Sequence, residues 1–407
     1  MPPRPIPNVP FIEARFSNAQ TFFLLLLCLT VGMFNVQAAR VYLGDVYVTI
    51  FFCAAFIRIL SGARYPHTRW VLIGVISIGL GVVFDFLNRI PSDDILRGGM
   101  RNFVFIFMSL ATCAALEVYG RRRVALYIIA ALCSLPISVI LLDPQVSGNV
   151  DRLLRWDNGI FLLLPAQLVL THWLGARKIR LIVGAALFLA MGAGAYFMDI
   201  RSLAGMLWGA AFIEIVCIYK YLPRILRIPM LFLASFLFTA AAVLIYSEVS
   251  TFDYDVYQRR TASDTLRLDM AADAWAGYLQ SPFIGNGSWQ HARLFIDPTK
   301  TETLIGVHST IIQFAYEYGT LGLLAGCVLL VIHVLALFKV ISLHRLYATD
   351  WLYGYLLLLG FYHIIMSPFA GAQRFTLGIS SGIAFSMLLR SGRQIWVLPE
   401  FIQRRPQ

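Results

Sequence analysis

Apolar residues dominate this chain in twelve long runs, at residues 21–39, 42–60, 70–88, 102–119, 124–142, 158–175, 180–198, 203–221, 229–247, 309–338, 352–370 and 375–390. A bilayer core of about 30 Å takes roughly 20 apolar residues as a helix. The pattern therefore predicts an all-α polytopic membrane protein with about twelve transmembrane helices. Prolines and glycines inside the runs, such as Pro136, Pro165, Gly192 and Gly194, are ordinary in such helices. No solenoid-length repeat or low-complexity tract interrupts the pattern.

One connection is long. It divides the chain into residues 1–247 with nine helices, an extracytoplasmic loop at 248–308, and residues 309–407 with three helices and a C-terminal tail. A long loop on a compact scaffold is usually functional. Within it Leu266, Met270, Ala274 and Tyr278 recur every four residues, which predicts an amphipathic helix capped by Ser263 and ended by Ser281-Pro282. Gly285-Asn286-Gly287 follows as a turn whose amides can bind an anion.

Composition removes the soluble alternatives. The 407 residues are 59% apolar and only 14% charged, with a mean hydropathy of +0.72. A soluble domain is about 45–50% apolar and about 25% charged. The net charge of +11 would suggest nucleic acid in a soluble chain. Here it marks sidedness. With the N-terminus inside, the inner connections hold Arg58, Arg64 and Arg69, then Arg121 to Arg123, then further basic groups at each alternate loop. Together with Arg4 and Arg15 these make 20 of the 33 basic residues, whereas 17 of the 22 acidic residues lie on the other side. Both termini are therefore expected in the cytoplasm.

All six cysteines fall inside apolar runs with no metal-ligand or disulfide spacing, so they read as packing residues. Gln37-Ala38-Ala39 loosely resembles a cleavage site. The proline-rich segment before the first run and the many runs after it predict a retained first helix.

Candidate chemistry gathers on the outer side. Arg201-Ser202 follows the seventh run directly, Arg267 sits on the loop helix beside Ala271 and Ala274, and His308-Ser309 stands at the outer mouth of the tenth run. Each has a bland reading: an arginine as a solvated charge or headgroup contact, a histidine as a cap, Gly-x-Gly as a plain turn. Their order and spacing carry more. Arg201, then Arg267 with Trp275, then Ser281-Pro282, Gly285-Asn286-Gly287, and His308 leading into Glu317-Tyr318-Gly319 resemble the O-antigen ligase and polymerase superfamily over about residues 199–322. Ser309 stands where members often carry asparagine, and Ile200-Arg201-Ser202 replaces their Ser-Arg-Gly.

The resemblance implies a GT-C-like fold with a large helical periplasmic loop, in a bacterial inner membrane. It implies transfer of O-antigen polysaccharide from undecaprenyl diphosphate to lipid A–core, with a polymerase using the same lipid-linked donor as the alternative. The residue chemistry suits it. The bond broken joins an anomeric carbon to a diphosphate, and arginine's planar fork holds phosphate oxygens while staying charged. Arg201 and Arg267 would bind the donor diphosphate and His308 would serve as general base. Gly285, Gly287, Trp275, Arg152 and Arg155 are further candidates for substrate contacts. No metal and no cofactor is expected, although Asp253-Tyr254-Asp255 has the spacing of a cation-binding pair and Asp45, Asp93 and Asp94 are other acidic candidates.

Glu214, Glu317, His333 and His363 are ionisable groups inside apolar runs, where such groups default to functional suspicion. Glu317 comes nine residues after His308 and would point away from it, toward a neighbouring helix and an arginine there. His363 would line a lipid cavity. Trp275 and Trp289 suit sugar stacking or interface anchoring. A transporter is the other class to weigh, but it predicts paired broken helices and inverted halves, which the sequence lacks.

Overall fold

The structure is a computed structural model. It describes residues 37–38, 41–42, 68–96, 98–99, 101–110, 112–113, 116, 124, 128, 177–197, 201–219, 223, 225, 227–229, 232, 254–293, 295–296, 304–305, 307–343, 348–366 and 372–388. Seven long helices carry the architecture: α1 (Thr68–Leu87), α2 (Arg177–Phe197), α3 (Arg201–Tyr219), α4 (Tyr254–Gln280), α5 (Thr310–Leu343), α6 (Ala348–Met366) and α7 (Ala372–Leu388). Residues 101–110 are also helical. Two minimal antiparallel pairs complete the elements: β1 (Gln37–Ala38) with β2 (Val41–Tyr42), and β3 (Phe295–Ile296) with β4 (Leu304–Ile305).

Most described helices sit where the apolar runs put them. The strand at Gln37–Ala38 is a correction, since the first run was expected to be helical through residue 39. The expected span at 158–175 and most of 21–39, 42–60, 124–142 and 229–247 lie outside the described residues. Among the described residues one helix, Thr310–Val340, is long and apolar enough to cross a membrane by itself, and α2, α3, α6 and α7 have shorter apolar cores.

Packing follows small residues. In α2, Gly184 leaves room for the Glu214 carboxylate and Gly192 for the Trp208 indole, so α2 and α3 close into a tight hairpin. In α7, Gly378 and Gly382 face the backbone of Phe105 and Ser109, the small-xxx-small approach that membrane helices use in place of a hydrophobic driving force. The central core joins α2, α3, α5, α6 and α7 through Phe188, Leu207, Ala336, Tyr355 and Ile383. Polar glue runs through it: His333 bonds Leu329 O at 2.7 Å and Ser380 Oγ at 3.1 Å. The outer face of α5 is the opposite of a soluble surface. Leu321, Leu324, Val328, Val331, Leu335 and Phe338 form an exposed apolar stripe at helical spacing, which suits hydrocarbon.

Two expectations about the loop change. α4 begins at Tyr254, so Ser263 lies inside the helix and not at its start. Of the predicted stripe, Met270, Ala274 and Tyr278 are buried and Leu266 is exposed. The second change concerns the tenth run. α5 is two helices joined at a kink, with non-helical Tyr318 (φ −123°, ψ 15°) and Gly319 (φ 62°, ψ −147°). Residues 320–343 then supply roughly 36 Å of helix at about 1.5 Å per residue, enough to span a bilayer unaided. The shorter piece, 310–317, belongs with the loop.

The backbone at Gly319 lies in a region open essentially to glycine alone. A β-carbon there would stand 2.5 Å from Pro282 O and 2.8 Å from Phe283 O. Gly319→Ala is therefore expected to destabilise the protein by about 2–5 kcal/mol, combining backbone strain and overpacking. The measurement is a drop in thermal unfolding midpoint in detergent; an unchanged midpoint would contradict the kink.

Candidate active site

The kink and the loop are built for each other. Breaking α5 takes Tyr316 O and Glu317 O out of the helical ladder, and they accept Asn286 N at 2.8 Å and Gly287 N at 3.0 Å. In return Thr320 N and its hydroxyl both donate to Pro282 O, at 2.7 and 2.8 Å. Gly285 N donates to Ser281 O at 3.0 Å. The three amides expected to hold an anion are thus spent on backbone carbonyls, because orphaned carbonyls of a broken helix must find donors. Gly285 and Gly287, at φ 71° and 94°, shape this turn.

Glu317 fastens the next residues. One carboxylate oxygen accepts Trp289 N at 2.6 Å and His291 Nδ1 at 2.5 Å. The carboxylate meets this loop histidine, and not the arginine expected on a neighbouring helix. Trp289, at φ 68°, is buried with the Arg101 guanidinium 3.1 Å from its ring centroid and His291 edge-on at 5.4 Å. Its covered face is unsuited to stacking a sugar. From the other side Asp85 accepts Ser288 N at 2.6 Å, and Asp94 accepts Gln290 Nε2 at 3.1 Å.

α4 lies on this framework through Ala274, Val307, Tyr316 and Ile312. Gly277 admits the Tyr316 ring, which a β-carbon there would meet at 2.5 Å. Arg267 shares the helix face of Ala274 and Tyr278, two turns nearer the N-terminus, and is exposed. His308, half-buried just ahead of α5, lies within its field. Burial first, and the Arg267 charge second, hold the His308 imidazole below the ordinary value of 6.5. A histidine so placed is neutral at pH 7 and free to take a proton. Arg267 and His308 are the two sequence-predicted residues that are coupled through charge.

The remaining candidates fall out differently. Arg201 opens α3, and its side chain lies outside the described residues, as do Arg152, Arg155, Asp45 and Asp253 entirely. Trp275 is 42% exposed on α4, its ring tilted against Tyr278 at 5.0 Å. His363 is buried, with Nε2 3.1 Å from Thr376 Oγ1 and its carbonyl accepting Thr310 Oγ1 at 2.9 Å. It is sealed between helices and lines no part of the cleft described next. Among the described residues no group of three or more His, Cys, Asp or Glu side chains converges as a metal site would require.

A cleft of about 510 Å³ runs between α1, residues 99–113 and α5. Leu80, Phe105, Leu110, Leu321 and Leu329 are among its walls, and Asp85, Asn102, Ser288 and Tyr318 form its polar end. Tyr318 OH bonds Ser288 Oγ at 2.7 Å and accepts Asn102 Nδ2. Sequence reasoning missed this cluster and His291 because its members come from distant segments. The one local signal was Ser288-Trp289-Gln290-His291 following the glycine turn.

The His308 environment makes a pH prediction. A base whose pKa lies below 6.5 keeps its proton acceptor as pH falls past 6.5 and loses it only at the lower value. The acid limb of the rate profile is therefore expected below pH 6.5. A limb above 6.5 would show that His308 is not held neutral.

Residues 157–327 match the family model described as O-Antigen ligase. No curated protein and no solved structure matches the chain significantly. The matched stretch holds α2, α3, α4 and the loop stitched to the kink of α5, and with them Arg201, Arg267 and His308, so over these residues the chain is similar to the O-antigen ligase family.

Proposed function

We propose that the protein is a glycosyltransferase that moves O-antigen polysaccharide from undecaprenyl diphosphate to lipid A–core at the periplasmic face of the inner membrane. The observation that carries this reading is a half-buried His308 just ahead of an apolar helix, its pKa lowered by burial first and by the charge of Arg267 second. His308 accepts the proton of the acceptor hydroxyl as its oxygen attacks the anomeric carbon. The carbon–oxygen bond to the diphosphate breaks on the opposite face, and the diphosphate leaves with the electron pair. Arg267, joined by Arg201, stabilises the charge that grows there, which is the type of preorganised term that is often largest. One displacement inverts the anomeric centre, and no metal is needed because the arginines neutralise the leaving group.

The cleft supports a lipid-linked donor. Its walls suit a hydrocarbon chain, and its polar end is a carboxylate and hydroxyls, which disfavour phosphate. The isoprenoid tail would lie in it while the diphosphate stays with the arginines. The topology that fits is about twelve membrane helices with both termini cytoplasmic, as the charge bias indicates.

Polymerase activity on the same donor is the second reading, favoured by the breadth of the matched family. Deleting the gene separates the two. A ligase deletion leaves long carrier-linked polymer that never reaches lipopolysaccharide. Lipopolysaccharide capped by a single repeat would instead establish the polymerase.

A further inference from the structure

The proposed transfer step assigns no part to the Glu317 carboxylate, yet it is 2% exposed and bonded on one oxygen to two groups of a loop 26 to 28 residues away. Buried carboxylates are costly unless they are well partnered. We propose that Glu317 is a positioning residue: it fastens residues 288–291 to the kink of α5 and, through that anchor, holds Arg267 on α4 against His308. The proposal rests on the reading of Arg267 and His308 as the reacting pair and adds what keeps them in place.

The mechanical path is short. The Ser281–Trp289 turn is fixed to α5 by Pro282, Asn286 and Gly287 through backbone bonds, and Glu317 closes it at Trp289 and His291. α4 enters that turn at Gln280. Arg267 stands about 20 Å back along the helix at roughly 1.5 Å per residue. A tilt of about 5° at the anchored end would move Arg267 by about 1.7 Å on a lever of that length. Misplacement by about 1 Å can cost on the order of 10²-fold in rate. The same displacement weakens the Arg267 field at His308 and lets water reach the imidazole, and these are the two influences that lower its pKa. Protonation of His308 is thus a gauge of the distance that Glu317 is proposed to set.

The side chain's shape is what matters. Glutamine keeps a carbonyl oxygen where Oε1 stands, able to accept Trp289 N and a proton-bearing His291 Nδ1. Aspartate is one carbon shorter and cannot reach both. Alanine leaves both donors buried and unpaired.

The test uses the full chain in neutral phospholipid nanodiscs. Diethyl pyrocarbonate attacks neutral imidazole only, so its labelling of His308 against pH, read by peptide mass spectrometry, gives the protonation midpoint without any substrate. Wild type is expected below 6.5. Glu317→Ala should move the midpoint upward, in the direction that Arg267→Ala moves it, with Glu317→Asp between them and Glu317→Gln at the wild-type value. In transfer assays Glu317→Ala should lower kcat on the order of 10²-fold with donor KM nearly unchanged, and glutamine should restore most of it. If Glu317→Ala fails to accumulate, Glu317→Asp carries the test. A wild-type midpoint in the alanine and aspartate variants, or glutamine as damaging as alanine, overturns the proposal. A wild-type protein that transfers no glycan would refute the function instead, and the labelling result would stand apart from it.

Discussion

Replacing His308 by alanine is expected to lower glycan transfer by about 10²–10⁴-fold with no loss of protein from the membrane, which is the range a positioned general base contributes. The site supplies the reasons. His308 precedes α5 and is only half-buried, so its removal opens no core cavity. Its neutral form is secured by burial and by Arg267, so the imidazole is a base and not a cation at neutral pH. An acceptor hydroxyl that must lose its proton during attack has no second described histidine to turn to on this face, because His291 is already bonded to Glu317. Transfer by His308→Ala at the wild-type rate, measured at matched protein level, would remove it from the mechanism.

Arg267→Ala is the second large effect. Losing one preorganised charge aimed at a departing group typically costs about 10²–10³-fold in kcat. Arg267 is exposed on α4, and exposed substitutions away from special features change stability by only about 0.5 kcal/mol, so unfolding should be nearly unaffected. Lysine should restore only part of the rate, since it keeps the charge but not the planar fork that meets two phosphate oxygens together. The variant carries a second signature. Without the neighbouring cation His308 is easier to protonate, so the acid limb of the residual activity should rise toward pH 6.5. Full activity in Arg267→Ala, or equal activity in the lysine and arginine forms, would contradict a diphosphate role.

The sequence made some of this legible, for identifiable reasons. The expected spans at 70–88, 180–198 and 352–370 correspond to α1, α2 and α6 because a long apolar run bounded by charges has one economical structure in a bilayer. Motif order singled out Arg267 and His308 separately, and their coupling through the Arg267 charge was not legible there because it depends on how α4 lies over the start of α5. The start of α4 was misplaced because its first turns, from Tyr254 to Thr261, are polar and show no apolar period. The kink was hidden because glycine is common in membrane helices, so Gly319 looks ordinary inside an apolar run. What makes it a break is a partner about thirty residues earlier, the Pro282–Gly287 turn, whose donors and acceptors match those that the kink releases. The same fact overturned the anion reading of the glycine amides. Local sequence shows that a turn has free donors, and only the fold shows which acceptor takes them.

Reconstitution tests the transfer reaction itself. Purified protein in proteoliposomes would be given an undecaprenyl diphosphate-linked O-antigen and lipid A–core, with product and released carrier measured together. Glycan is expected on lipid A–core with one undecaprenyl diphosphate released per chain transferred, in wild type and not in His308→Ala. Wild-type protein that leaves the donor intact, or His308→Ala that consumes it at the same rate, would contradict it.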